Sequence, residues 1–527
     1  MLRRSFGLAS ILALSSACSL LSPLSDPGAV QGGANVNDRT FGGEPGQELL
    51  TGAMSVAPSG RFAVMQRNAV TLLFDVQAKR HTQLPFRVVR LAFAPNDRVV
   101  FAKADGTLGL FDMAAAKELW SVKADAPTLL RVSNDGAAIV VGGAVSVNVL
   151  DAKTGAARGG AIVGATPSFA AELPGKDAVI VVGDTSWSAH KPSTPVVRIA
   201  LADGASARAD IPNCSAPIEI LPDATRAFVS PTFCEEGVQS TSSGDTWTNP
   251  DPVSVIDFDG TAPRFVKNLP GFGPVALRED GSLAVAYLDT KRMDPSMFDD
   301  ARQVPPTSGP EYHLMLIQPK TLAFTLAPIG DALPRFAMTR DGKGLLVDAS
   351  VKVKTRVKVQ ASGSISIGPN GISGELSASA SVFQDKAPFG YFDLEARAFT
   401  PFAGPQAGLD RFVQLADGKT VIALAKRSDG LGGVPHAIDL EKKTVTPLAE
   451  PSGTSGVRDL GLLADGKTLL VRVRMPAANK GGSLYSQEAA YLSLDFSAEL
   501  GLTLFTDATA FASADPEGCP TGYHDCW

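Results

Sequence analysis

The feature that most limits how this chain can fold is a tight turn that returns along most of its length. It stands as Pro58-Ser59-Gly60, Pro95-Asn96-Asp97, Asn134-Asp135-Gly136, Pro174-Gly175-Lys176, Pro222-Asp223-Ala224, Glu279-Asp280-Gly281, Arg340-Asp341-Gly342, Ala416-Asp417-Gly418 and Ala464-Asp465-Gly466. Asp-Gly and Pro-Ser-Gly provide the left-handed or pre-bent backbone that a hairpin needs. Short apolar runs flank each turn, and a third run closes on an acid. That ending reads Leu73-Phe74-Asp75, Leu110-Phe111-Asp112, Val149-Leu150-Asp151, Val255-Ile256-Asp257, Tyr391-Phe392-Asp393, Ala437-Ile438-Asp439 and Ser493-Leu494-Asp495. Two units lack it, with Leu201 and Gln318 near the expected places.

The early turns recur about every 40 residues and the later ones lie further apart. Four strands per unit at such a period predict an all-β fold, a single β-propeller of four-stranded blades. The units resemble the WD40 and YVTN-type propeller repeat, with Phe-Asp or Ile-Asp where WD40 has Trp-Asp. The resemblance covers roughly residues 51–507 and implies architecture without chemistry. Nine units can be counted. Rings of seven or eight blades are commoner, so seven or eight stay open, as do two stacked sheets. Each strand-ending Asp is expected to make a turn or cross-strand hydrogen bond. Hydrophobic residues at 44% can fill such a core, and 51 Gly and 37 Pro suit many short strands.

Residues 1–17 read as an export signal. Arg3 and Arg4 are its positive region, Phe6 to Leu14 its short apolar region, and Ser15-Ser16-Ala17 its small residues before cleavage. The next residue is Cys18, and the arrangement resembles the lipobox of bacterial lipoproteins. It departs in having Ser15 where the family prefers Leu, with Leu14 one step further back. The resemblance implies lipidation at Cys18, an exported cell-envelope location, and membrane attachment through the lipid. An outer-membrane lipoprotein, facing the periplasm or the surface, fits best. Cleavage by an ordinary signal peptidase, giving a soluble periplasmic or secreted protein, is the alternative. Loss of Arg3 and Arg4 takes the net charge from −6 to −8. That argues against nucleic acid as a partner, since phosphate binding needs a concentrated basic surface.

The five cysteines suit this compartment. Cys214 and Cys234 are near in sequence, as are Cys519 and Cys526; two disulfides would leave Cys18 over. Residues 18–50 read as a flexible tether, 51–510 as the propeller, and 511–527 as a C-terminal disulfide tail.

In a propeller, the turn between the first two strands of a blade lies on one face. The loop between strands two and three lies on the other, with the blade-to-blade connections. The first kind stays short here. The second kind is long in units four to nine, over about 183–195, 230–252, 289–311, 348–388, 426–435 and 474–488. Loops on a rigid scaffold are where binding usually lives. Trp187 and Trp247 are candidate contacts on this crown for a protein or a glycan. The 348–388 insertion predicts a protruding β-hairpin with Lys352, Lys354, Arg356 and Lys358 alternating along its first strand. These basic residues are candidate binding residues or guards against edge-to-edge pairing.

No catalytic motif appears. His81, His190, His313, His436 and His524 share no metal-ligand spacing, and Asp289, Asp294, Asp299, Asp300 and Glu311 fit no calcium loop. No cofactor, metal or catalytic residue is assigned. The leading reading is an envelope binding or scaffold propeller that meets protein partners through the crown. The alternatives are a lactonase-like propeller hydrolase with an axial site, and a carbohydrate-binding surface lipoprotein.

Overall fold

A run such as Ala178-Val179-Ile180-Val181-Val182 has no polar face, so a strand made from it must be covered on both sides. In the computed structural model every such run is a central strand between two neighbouring sheets. The structure describes residues within 54–504. It leaves out both ends and a number of loop stretches, the larger being 232–239, 246–251, 349–355, 449–456, 475–487 and 496–502.

Nine units of four antiparallel strands follow one another, each built from one continuous stretch of chain. Their first strands are Met54–Val56, Val88–Ala94, Leu129–Val132, Pro167–Glu172, Ile218–Ile220, Phe272–Leu277, Arg335–Met338, Leu409–Gln414 and Val457–Leu462. We call the units blades 1 to 9. First strands of successive blades lie side by side from blade 2 through blade 7, and again from blade 8 to blade 9. Apolar clusters fill the other two seams, Phe62 and Leu73 with Leu91 and Phe101, and Leu346 and Phe389 with Val421 and Ile438. The first strand of blade 9 in turn lies against that of blade 1, so the series returns on itself. The fold is the expected propeller, and every counted unit is a blade. Blades 8 and 9 also share one bridge, Gly433 opposite Val457.

The core lies in the seams. One cluster joins Val100 and Leu108 of blade 2 to Ile139 and Leu150 of blade 3; another joins Phe228 and Val255 of blade 5 to Ala284 and Met315 of blade 6. Tyr287 of blade 6 meets Phe336 of blade 7 edge to face at 4.7 Å. Fourth strands face outward and alternate, as Lys117–Lys123 does between exposed and half-buried positions. Continuous apolar runs inside and alternation outside are what sheets stacked on both faces require.

Both kinds of turn on the short-turn face are held by aspartates. Between strands one and two, Asp135 Oδ1 accepts from the Ala137 N–H at 2.9 Å and from Ser133 Oγ at 2.6 Å. Asp223, Asp280, Asp341 and Asp417 repeat the backbone bond to the residue two positions on. Gly136 follows with φ +71°, and a Cβ there would stand 2.6 Å from Pro95 of blade 2. Between strands three and four, the strand-ending carboxylate accepts from an N–H three residues on, at Asp75, Asp112, Asp151, Asp393 and Asp439. The turn role expected of these aspartates is therefore the one they have. Asp257 also binds Arg226 at 2.6 Å and Arg264 at 2.9 Å.

In six blades the residue after this second turn is left-handed. It is glycine at Gly155 and Gly204, but Ala116, Leu322, Arg397 and Lys443 elsewhere. The Trp120 ring covers Gly155 and its indole N–H donates to the Ala152 carbonyl at 3.0 Å, which ties blade 2 to blade 3. A side chain in the left-handed region costs about 1–2 kcal/mol, against which glycine's extra unfolded-state entropy offsets roughly 0.4–1. Ala116→Gly is therefore expected to raise stability by up to about 1 kcal/mol. Gly155→Ala, which adds a clash with Trp120, lowers it by about 1–3 kcal/mol. Urea unfolding of the two variants checks this, and midpoints moving the same way would contradict it.

Candidate functional site

Loops can hold a fixed binding surface only if their buried polar groups are satisfied. Over blades 4 to 6 a buried network satisfies many of the crown's polar groups, with Ser215 Oγ, Ser230 Oγ and His313 Nδ1 left without a hydrogen-bond partner. In blade 4 the third strand, Lys191–Ala200, outruns the second, Ala178–Gly183. Its extra length pairs with Ser186–Ser188, placing Trp187 opposite Pro192 on a short ribbon beyond the sheet. Trp187 is half-buried there.

Beneath the ribbon lies a buried polar network. Thr194 Oγ1 donates to the Asn213 carbonyl at 2.6 Å, and the Ser215 N–H donates to Thr185 Oγ1 at 2.7 Å. Asn213 is fully buried. Its amide donates to the Pro252 carbonyl at 2.7 Å and to Ser254 Oγ at 2.9 Å, and its Oδ1 accepts from the Cys214 N–H at 2.8 Å. Ser254 passes the chain on to Asn268 Oδ1 at 2.7 Å. One asparagine thus joins the blade 4–5 connection to the base of the long loop of blade 5. Cys214, beside it, is buried. Cys234 and Trp247 lie outside the described residues, as do Cys18, Cys519 and Cys526.

The blade 6 loop folds down onto the ring. Asp294 and Asp300 cap two short 3-10 turns, Pro295–Met297 and Ala301–Gln303. Phe298 inserts edge-on against Phe324, with ring centroids 5.8 Å apart. Lys267 of blade 5 reaches Asp299 at 2.8 Å, Lys291 pairs with Glu311, and Asp289 accepts the Lys291 N–H at 2.8 Å. These five carboxylates are thereby engaged as loop braces. The space left between loop and ring, lined by Pro252, Phe272, Asp289, Arg292 and Met293, is about 10 Å³, room for little more than one water.

Of the crown histidines, His313 and His436 are described, and they stand in different blades, 6 and 8. His313 is buried within Tyr312–Ile317, its Nδ1 has no hydrogen-bond partner, and burial pushes its imidazole below the ordinary value. His436 is buried in blade 8 with Nδ1 2.8 Å from the Val434 carbonyl. His190 lies outside the described residues. Among the described residues no three His, Cys, Asp or Glu are placed to hold a metal ion.

The hairpin is formed by Arg356–Gly368 and Gly371–Phe383, which pair along their whole length. Arg356 and Lys358 fall at its base, and Lys352 and Lys354 lie outside the described residues.

The short-turn face carries a cavity of about 330 Å³ between blades 7 and 8, lined by Thr339, Asp341, Tyr391, Asp417, Lys419 and Lys443 among others. Lys443 stands over the Tyr391 ring, 3.2 Å from its centroid. Burial lowers the Lys443 ammonium and pushes the Tyr391 phenol up to about 12. Sequence reasoning missed this pair and the Asn213 network. Neither has a linear signal, because their members come from different blades.

Two expectations follow. Asn213→Ala leaves a buried carbonyl and a buried N–H without partners and should cost about 2–4 kcal/mol in urea unfolding. A loss under about 1 kcal/mol would remove its bracing role. On the other face, hydrogen bonds from Arg158 and Thr154 hold Asp151 at about 2, and those from Ser133, Thr225 and Ser282 lower Asp135, Asp223 and Asp280. Their folded values lie below the unfolded carboxylate range near 4. The stability they confer is complete above that range and is lost as pH falls through the folded values toward 2. Thermal unfolding between pH 5 and pH 2 should show this decline, and Asp151→Asn should make it shallower.

No protein-family model matches the sequence, and no curated protein matches it. Among solved structures the chain is similar to a eukaryotic initiation factor, with 10% identity over 77% of this chain and 90% of that one at a TM-score of 0.44. It is also similar to BamB from Moraxella catarrhalis, with 13% identity over 74% and 91% at 0.38. A third is the dihydro-heme d1 dehydrogenase NirN in complex with DHE, with 14% identity over 77% and 79% at 0.38. These likenesses are of fold alone.

Proposed function

We propose that the chain is a lipid-anchored scaffold of the cell envelope, attached through Cys18, that binds a protein partner by its crown. The observation that carries the reading is the inequality of the two faces. One is built of repeated aspartate-held turns that end at the sheet, with a cavity of about 330 Å³ between blades 7 and 8. The other supports long loops, and over blades 4 and 5 a buried hydrogen-bond network braces the described base of those loops, so a partner need not order that part. Trp187, on a ribbon braced by the Thr185–Thr194–Asn213 network, is the anchor we assign to that partner. Cys234 is the disulfide partner we assign to Cys214. Their bond would tie the blade 5 loop to the same seam, and closing a loop of that length contributes about 3 kcal/mol.

A photo-crosslinking residue at position 187, in cells, should trap protein adducts that the same residue at Lys153, on the short-turn face, does not. Equal trapping from both positions would overturn the crown assignment. Cys18 is tested separately by fatty-acid labelling. The wild-type chain should take up label and Cys18→Ala should not; a wild-type chain without label would remove the anchor.

A further inference from the structure

The blade 7 insertion joins the crown end of Gly344–Asp348 to that of Phe389–Asp393. Its two thirteen-residue strands pair with each other and, among the described residues, with no other strand. At about 3.4 Å per residue the ribbon is roughly 44 Å long.

The register sorts its residues into two unlike sets. Arg356 lies opposite Phe383 and Gly368 opposite Gly371, so alternate pairs share a face. One face runs from Val357 opposite Val382 to Ile367 opposite Ile372, and every residue on it is Val, Ile, Leu, Ala or Gly. The other is chiefly serine, as at Ser362 opposite Ser377 and Ser366 opposite Ser373. All three charged residues of the ribbon, Arg356, Lys358 and Glu375, fall on the serine face. From Val359 to Gly374, through the tip, the chain carries no charge at all.

A ribbon with an unbroken apolar face is not stable in water by itself. A solvated ribbon would also guard its edges and outer face with charge. Here even the polar face is almost uncharged toward the tip, and its cations stand at the base. We infer that this ribbon is a lipid-binding element that lies along a bilayer surface, its apolar face toward the acyl chains and its serine face toward the headgroups. In that position Arg356 and Lys358 are level with anionic headgroups, and serine hydroxyls need only local hydrogen bonds. Flat insertion also leaves the free backbone edges within reach of headgroups and water, which a single hairpin spanning the bilayer would not.

The test removes the lipid anchor, so that the two modes of attachment are read apart. Full-length Cys18→Ala protein, which cannot be acylated there, is floated with vesicles of phosphatidylethanolamine and phosphatidylglycerol. It should float. Ile367→Asp and Val359→Asp, on the apolar face, should reduce bound protein by about tenfold or more. Ser366→Asp, at the same height on the serine face, should stay within about twofold of the parent. Circular dichroism of each variant reports whether the blades remain folded. A parent that fails to float, or an Ile367→Asp variant that floats equally well, would overturn the proposal. So would a lipid-free dimer that Ile367→Asp converts to monomer, which would make a second copy the occupant of that face.

Discussion

A four-stranded sheet with two apolar faces cannot exist alone in water, and this requirement organises the molecule. Each blade has central strands, such as Ala138–Gly142 and Ala178–Gly183, that are buried along their whole length. A valine or leucine taken out of water contributes about 1.5–3 kcal/mol, but only when the neighbouring sheet is present to cover it. The arrangement that covers every sheet equally is one without ends. The contact between Met54–Val56 and Val457–Leu462 provides it, bringing the first blade against the last. Each blade is one continuous stretch of chain, so closure rests on packing between the two end blades.

Once the sheets are fixed by their seams, the two faces follow different rules. Every short turn must reverse the chain within a few residues, and an aspartate side chain can supply the acceptor its backbone lacks. Asp135 and Asp151 do so in one blade, Asp341 and Asp393 in another. Arginines then link these turns across the seams. Arg226 holds Asp257 in its own blade and donates to the Lys320 carbonyl of the next, and Arg158 holds Asp151 in its own blade and donates to the Leu201 carbonyl of the next. Many acceptors and cations of this face are thereby committed to holding turns, while a cavity of about 330 Å³ remains between blades 7 and 8. The loops of the opposite face carry no such duty, and their length is free to vary because lengthening a loop costs little entropy.

The fold was legible in the sequence because its signals are local. A turn at Asn134-Asp135-Gly136 and a strand ending Val149-Leu150-Asp151 can be read from adjacent residues, and each has the structure its neighbours imply. The nine units could be counted for the same reason, while the number of blades they make stayed open between seven, eight and nine. The bracing of the crown was not. Asn213 joins Pro252 and Ser254, about 40 residues on, and in the sequence Pro212-Asn213 reads as an ordinary turn dipeptide. Lys443 and Tyr391 belong to different blades and meet only in the folded seam. The hairpin was half legible. Alternation announced its strands, and the lysines before it made the first strand look basic. Only the cross-strand register shows that Val357 and Val382 share a face, and that the charges are gathered on the other.

The place of the insertion bears on how the molecule would meet a membrane if the ribbon lies on one. The insertion leaves blade 7 at the end where second strands pass to third strands, the same end that bears the Trp187 ribbon and the folded loop of blade 6. A ribbon laid on a bilayer with its axis continuing that of blade 7 would have the crown turned toward the membrane and the aspartate-held face turned away. A partner bound to the crown would then lie between ring and membrane, reached from the side and not from the open solvent. Serine suits the ribbon's other face under this arrangement, since that face would meet headgroups on one hand and the underside of the ring or its partner on the other. A charged face there would have to be desolvated on both sides, at a cost that hydroxyls with local acceptors do not incur.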